Sequence, residues 1–319
     1  AYRSLALRGV AIEVNLTRGM EGLIEASRYN KKQNHLAGYA ATQNSLGLIY
    51  QGMANHGIEP EGNLKRAIEV LSESADLLKE QGDVTGYATV QNNIGLTYSL
   101  MAQLGITPKE NLSWGIQALM EASRISMEHN NWAVYALVQN NLGEAYRELA
   151  NWKEEPKESL DRSSEALKEA VRLLKEQKDW GIYPVALNNL GLVHLNLAKL
   201  GSDIEANLRQ SIESFTEVGH FWAEQRNMAY SAVTHSNLGL AYQALANSGI
   251  DPEPNFQRSV EAQTEAANLW KDQESWESYS ASMENIGLIY WSLVERQVSP
   301  EENFSHSIEA LSEAARLRR

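Results

Sequence analysis

One short word recurs along this chain at a fixed step: Leu46-Gly47-Leu48-Ile49-Tyr50, Ile94-Gly95-Leu96-Thr97-Tyr98, Leu142-Gly143-Glu144-Ala145-Tyr146, Leu190-Gly191-Leu192-Val193-His194, Leu238-Gly239-Leu240-Ala241-Tyr242 and Ile286-Gly287-Leu288-Ile289-Tyr290. The glycines fall at 47, 95, 143, 191, 239 and 287, so the period is 48 without an insertion. A second signature keeps the step: Asn15, Asn63, Asn111, Ser159, Asn207, Asn255 and Asn303 are each followed by Leu or Phe. Downstream of these stand Glu25, Glu73, Glu121, Glu169, Glu217, Glu265 and Glu313. Tyr2, Gly9 and Val10 match Tyr50, Gly57 and Ile58, so the sequence opens inside a repeat. A strict long period is the mark of stacked supersecondary units. At 319 residues the chain also exceeds the roughly 250–300 at which a single core stops growing. The expected organisation is one array over 1–319: a partial repeat at 1–34, then repeats at 35–82, 83–130, 131–178, 179–226, 227–274 and 275–319.

Each unit reads as two helices. The first is predicted from about Leu36 to His56, with polar N-cap candidates at Asp83, Asn131, Asp179, Asn227 and Ser275. Apolar residues follow them at Val84, Trp132, Trp180, Met228 and Trp276, where the tryptophans read as staples at helix starts. Gly57-Ile58, Gly105-Ile106 and Gly249-Ile250 predict Schellman-type stops. The second helix is predicted to start at prolines such as Pro108 and Pro300, with Thr107 and Ser299 as caps and Glu110 and Glu302 placed for capping boxes. It continues through Ile68, Leu71 and Ala75 to about Glu80. No stretch sustains the two-residue alternation of a strand, so the expected fold is all-α. Two helices cannot bury their apolar faces alone; neighbouring pairs must stack around a shared core.

With Leu46-Gly47 and Tyr50 in the first helix, and small Ala67 and Ser74 flanking Leu71 in the second, the chain resembles the tetratricopeptide repeat family over essentially its whole length. The resemblance implies a right-handed α-α superhelix, a solenoid of about six and a half helix-turn-helix repeats. The family's usual unit of 34 residues is lengthened here, and its frequent early Trp is replaced by Gln43, Gln91 or Gln139. The wording Tyr87-Ala88, Gln91-Asn92-Asn93-Ile94-Gly95, with Glu110-Asn111-Leu112 beyond, resembles long repeats found beside caspase-like CHAT domains and NTPase modules of bacterial signalling proteins.

Helical geometry turns about 100° per residue and puts Tyr39, Leu46, Ile49, Tyr50 and Met53 on one side of the first helix. Asn44 and Leu48 fall on the other side. In the family, first helices line the concave wall. Down the array that wall reads Asn44, Asn92, Asn140 and Asn188, then Ser236 and Glu284, beside Leu48, Leu96, Glu144, Leu192, Leu240 and Leu288. An asparagine amide can donate and accept at once, matching a peptide bond of any sequence. The resemblance carries that role to Asn92, Asn140 and Asn188, with the leucines as apolar contacts. The opposing reading packs the leucines between adjacent first helices and spends the asparagines on backbone groups of the long loops. The neighbouring column Ser45, Asn93, Asn141, Asn189, Asn237 and Asn285 is turned toward the next helix and reads as structural, as do the pairs Glu25/Arg28, Glu121/Arg124, Glu169/Arg172 and Glu313/Arg316. Function is expected where copies differ, as at Glu144, Arg147, Glu284 and Trp291.

Composition narrows the chemistry. There are 28 Lys plus Arg against 41 Asp plus Glu, a formal charge of −13 that argues against a phosphate-binding surface and nucleic acid as partner. No cysteine is present, which removes disulfides, thiolate metal sites and cysteine nucleophiles. The seven histidines form no metal-spaced pair, and phosphate loops, dinucleotide motifs and Gly-x-Ser-x-Gly are missing. No apolar run is long enough to span a membrane, and the first ten residues lack signal-peptide zones. The expectation is a cytoplasmic, non-enzymatic scaffold without metal, cofactor or catalytic residue that holds a peptide or partner protein in its concave groove. The alternatives are a sensor arm relaying to an effector domain outside this segment, and a structural spacer able to self-associate through its repeat ends.

Overall fold

In the computed structural model, which describes residues 12–152 and 156–317, every described element is a helix. They are α1 (Ile12–Lys32), α2 (Leu36–Asn55), α3 (Pro60–Glu80), α4 (Val84–Gln103), α5 (Pro108–Glu128), α6 (Trp132–Ala150) and α7 (Pro156–Gln177), then α8 (Tyr183–Lys199), α9 (Ile204–Glu224), α10 (Met228–Asn247), α11 (Pro252–Asp272), α12 (Trp276–Glu295) and α13 (Pro300–Leu317). Consecutive helices pack on one another in each of two compact units, Ala1–Lys178 and Asp179–Arg319, and each is a stretch of all-α solenoid. The partial repeat at Tyr2, Gly9 and Val10 lies outside the described residues.

The repeated glycine explains how each pair closes. A Cβ on Gly47 would stand 2.5 Å from Leu71 Cγ, and one on Gly191 would stand 2.7 Å from Phe215 Cε1. First and second helices therefore approach backbone to side chain, and only a residue without a side chain fits. Second-helix serines tighten the contact: Ser211 Oγ donates to the Gly191 carbonyl at 2.9 Å, Ser259 to Gly239 at 2.6 Å and Ser307 to Gly287 at 2.9 Å. The apolar side chains collect in clusters that bridge neighbouring pairs, as where Leu112, Leu119, Val138, Leu142 and Leu149 meet in unit 1.

The first helices stop as expected. Gly57 has φ +74°, its N–H reaches the Ala54 carbonyl at 2.9 Å, and Ile58 N–H reaches Met53 at 3.0 Å, the paired bonds of a Schellman motif. The second helices start differently from the capping boxes expected at Thr107 and Ser299. Glu59, Thr107, Asp203 and Asp251 sit left-handed at φ 37°, 32°, 37° and 40°, and none makes a side-chain cap. The cap comes from inside the helix. Asn63 Nδ2 donates to the Ile58 carbonyl at 2.7 Å, Asn111 to Ile106 at 2.6 Å, Asn255 to Ile250 at 2.9 Å and Asn303 to Val298 at 2.7 Å. This is the reason for the asparagine signature: it staples the end of the loop to the helix that follows.

Asp83, Asn131 and Asn227 do cap first helices, accepting from Gly86, Val134 and Tyr230 N–H groups. Ser275 makes no cap bond to a backbone N–H. The start expected at Trp180 moves to Tyr183, where Pro184 occupies the first turn and Asp179 Oδ1 holds the preceding loop through Gly181 and Ile182 N–H. Trp132, Trp180 and Trp276 lie edge-on to Tyr135, Tyr183 and Tyr279, with ring centroids 5.9, 5.5 and 6.2 Å apart.

Candidate partner-binding surfaces

Two surfaces follow from the repeat, the wall of first helices and the valleys between second helices. On the wall of unit 1 the two asparagine columns interlock. Asn93 Nδ2 donates to Asn44 Oδ1 at 2.8 Å, and Asn141 Nδ2 donates to Asn92 Oδ1 at 2.8 Å. In unit 2, Asn237 Nδ2 reaches Asn188 Oδ1 at 3.3 Å. Asn92 and Asn140 are 4% and 5% exposed, so the free amide ladder expected at them is corrected: both are buried, and Asn92 gives its oxygen to Asn141 of the next repeat. Asn140 Nδ2 donates to Asn141 Oδ1 at 3.2 Å. Asn44 and Asn188 stay half-buried. A wheel drawn for one helix places these amides outward; only the neighbour's approach shows they are seam residues.

The leucine stripe is likewise discontinuous. Leu192 and Leu240 are half-buried against the core of Leu208, Phe215 and Leu245 in unit 2, a packing role that corrects their reading as free contacts. Leu48 is half-buried, while Leu96 and Leu288 are 36% and 47% exposed. Leu96 borders a hollow of about 310 Å³ in unit 1 that is also lined by Gln51, Asn55, Ser99, Gln103 and Glu144. Gln51 Nε2 is fixed by the Asn93 carbonyl at 3.0 Å, and Gln103 Nε2 donates to Glu148 Oε1 at 2.6 Å. Burial pushes the Glu148 carboxyl up, Gln103 and the Arg147 charge pull it back, and the Glu144 charge adds to the rise. Arg147 is half-buried with its Nε out of water and unbonded. Of the other exceptions, Glu284 is half-buried, and exposed Trp291 lies 6.2 Å from Phe304 and donates Nε1–H to Glu295 at 3.1 Å.

The valleys between second helices carry a row of polar contacts to the repeated glutamate, among them Tyr39, which helical phase puts on the core side. Tyr39 Oη donates to Glu73 at 2.8 Å, Gln43 Nε2 reaches the same carboxylate at 3.1 Å, and Tyr183 Oη donates to Glu217 at 2.6 Å. The repeated glutamate thus ties first helix to second, beyond its arginine pairs at Glu121–Arg124, Glu169–Arg172 and Glu313–Arg316. Those pairs hold the three carboxyls below the usual range through the arginine hydrogen bonds.

Three hollows open at one register of the repeat. In unit 1, one of about 390 Å³ includes Tyr98, Trp114 and Glu121, and one of about 500 Å³ includes Tyr135, Tyr146, Met120, Arg162 and Glu169. In unit 2, one of about 540 Å³ includes Tyr279, Tyr290, His306, Glu309 and Glu313. The signal was present in the sequence as a tyrosine column at 39, 87, 135, 183 and 279, in the same step as the glycines. Among the described residues no group of histidines and carboxylates is placed to hold a metal ion, and no helix is long and apolar enough to cross a membrane.

No known protein-family profile matches the chain, and no curated protein matches it. Solved structures do. The signal transduction ATPase with numerous domains and a tetratricopeptide repeat sensor from Pyrococcus horikoshii aligns at 13% identity and TM-score 0.56, over 95% of this chain and 46% of that one. The apo form of RapI aligns at 14% identity and TM-score 0.51, over 93% of this chain and 99% of that one. At such identities the likeness is one of fold, an all-α repeat of the tetratricopeptide type.

Proposed function

We propose that this chain is a non-catalytic scaffold that holds a peptide or partner protein. The contact surface is the first-helix wall of unit 1 around Leu96, Glu144 and Arg147, with Asn44 and Leu48 at its margin. The observation that carries this reading is the break in the repeat at Glu144: five copies place leucine there, one places a carboxylate, and that copy borders a hollow with amide, hydroxyl and apolar walls. A requirement shared by every unit keeps a column constant, whereas a partner acts on particular copies. On unit 2, exposed Leu288 offers a separate apolar contact.

The long-repeat kinship with CHAT-associated proteins, a single continuous array, a cytoplasmic setting and association through repeat ends belong to the same proposal. A second reading, a sensor arm for an effector domain, is favoured by the fold shared with a repeat that is itself named a sensor in the Pyrococcus ATPase.

The test is selection from a displayed peptide library with the wild type and a Leu96→Ser/Glu144→Leu variant. Leucine at 144 is what the sister copies carry, and Leu96 is 36% exposed, so neither change empties the core. Peptides enriched by the wild type are expected to lose most of their binding; equal enrichment by both proteins overturns the reading.

A further inference from the structure

The valleys hold a second feature, independent of the first-helix wall. In four copies a second-helix residue lies over the tyrosine that ends the repeated word. The ring centroids of Tyr98 and Trp114 are 5.7 Å apart, and those of Tyr290 and His306 are 5.0 Å apart. The guanidinium carbons of Arg162 and Arg258 stand 5.9 and 5.8 Å from the Tyr146 and Tyr242 centroids. The frame is constant and the cap varies. Arg162 also forms an ion pair with Glu158 at 2.7 Å, so that copy supplies its own cation to ring and carboxylate together.

Three periods on, the pattern is kept except for the cation. Glu302 stands where Glu158 stood, and His306, 3.8 Å from it, replaces the arginine. An imidazole is shorter than a guanidinium and lacks its permanent charge. The acids around the ring remain: burial pushes the Tyr290 phenol up, and the Glu302 and Glu309 charges push it further. Arg316 does not offset Glu309, because it is committed to Glu313 at 2.8 Å. Beside the capped ring lies the hollow of about 540 Å³ between α11, α12 and α13, floored by Tyr279, Met283 and Tyr290 and edged by Glu309 and the Glu313–Arg316 pair; Lys271 Nζ stands 5.9 Å from the Tyr279 centroid, so the Tyr279 ring has its cation and the Tyr290 ring does not.

We propose that this hollow in unit 2 binds an arginine or lysine side chain of an extended basic peptide, in the role that Arg162 and Arg258 play over the tyrosines of sister copies. The chain itself shows the chemistry these rings accept, a cation over the π face with a carboxylate beside it. The hollow is larger than one side chain, so the flanking peptide lies along Met283. Glu302 and Glu309 are the carboxylates whose charges reach the Tyr290 ring, and they disfavour an acidic side chain over it.

The experiment is fluorescence anisotropy with a dye-labelled Gly-Gly-Arg-Gly-Arg-Gly-Gly peptide and its Arg→Gln counterpart, at low salt, on the full chain. The arginine peptide is expected to bind about tenfold or more tightly than the glutamine peptide. His306→Arg, which rebuilds the sister arrangement, is expected to weaken it about fivefold or more by placing the chain's own cation at the Tyr290 ring. Glu309→Gln weakens it as well, without depending on how an arginine at 306 packs. Ala206→Arg, which adds one positive charge at an exposed position outside the hollow, leaves it nearly unchanged. Equal binding of the two peptides, no binding of the arginine peptide, or an equal loss in the His306→Arg and Ala206→Arg variants overturns the proposal. The first-helix variant Leu96→Ser/Glu144→Leu keeps this binding, so the two surfaces fail or succeed separately.

Discussion

Single side chains decide where this repeat can carry charge. Glu148 is a half-buried carboxyl whose proton affinity is raised by burial first and by Glu144 after it. A carboxyl raised in the folded state costs nothing below its unfolded pKa, where both states hold the proton, and lowers stability as pH climbs through the folded value. Glu148→Gln keeps an oxygen for Gln103 Nε2 and removes the ionisation. It is expected to stabilise the protein by about 0.5 kcal/mol at pH 7.5, after allowance for screening by water, and by nothing at pH 4. Urea denaturation at the two pH values measures this, and a gain that is the same at both would rule out the electrostatic cause. Glu144 was legible as an exception because five sister copies carry leucine. The open rung expected at Asn92 is closed because helical phase fixes a direction but not what stands in that direction, and here Asn141 of the next repeat does; Asn140 is buried as well.

At the scale of the helix and its loop, the period placed nearly every start. Second helices begin at 60, 108, 156, 204, 252 and 300, and five first helices begin at 36, 84, 132, 228 and 276. The sixth begins late because Pro184 sets its first turn. The cap chemistry was not legible. Thr107 followed by Glu110 has the wording of a capping box, yet Thr107 is left-handed, and Asn111 reaches back to the loop instead. Asn111 is 1% exposed and its Nδ2 holds the Ile106 carbonyl, so Asn111→Ala removes the donor of a part-buried bond and leaves a small cavity at a buried position. The expected loss is about 1–3 kcal/mol in urea denaturation. Ser113→Ala, on an exposed turn of the same helix, is expected to change little and serves as the control. The tyrosine valleys were half legible: the columns stood in the sequence, but their use of Glu73 and Glu217 requires the second helix to be laid against the first.

Across the molecule, stability is a sum of neighbour terms, since helices in each unit pack mainly on those adjacent in the chain. All-α stacking was readable from the period alone. The division at Lys178 and Asp179 was not, because the period runs through it unchanged. Asn92→Ala removes the acceptor for Asn141 at the seam of α4 and α6. Amide hydrogen exchange is expected to quicken in α2, α4 and α6 while α11 and α12 keep their protection. A uniform loss through both units would exclude the neighbour-term description.

The asparagine seam has one further consequence. Asn93 meets Asn44 through the same atoms with which Asn141 meets Asn92, and both gaps measure 2.8 Å. Loss of one whole copy by unequal recombination would therefore present Asn141 to Asn44 and keep the asparagine joint, although Gln51 would face Ala145 where it now meets the Thr97 hydroxyl. Such a gene can lengthen or shorten in quanta of a complete repeat, retaining its joints while it shuffles which exceptional side chains stand next to one another.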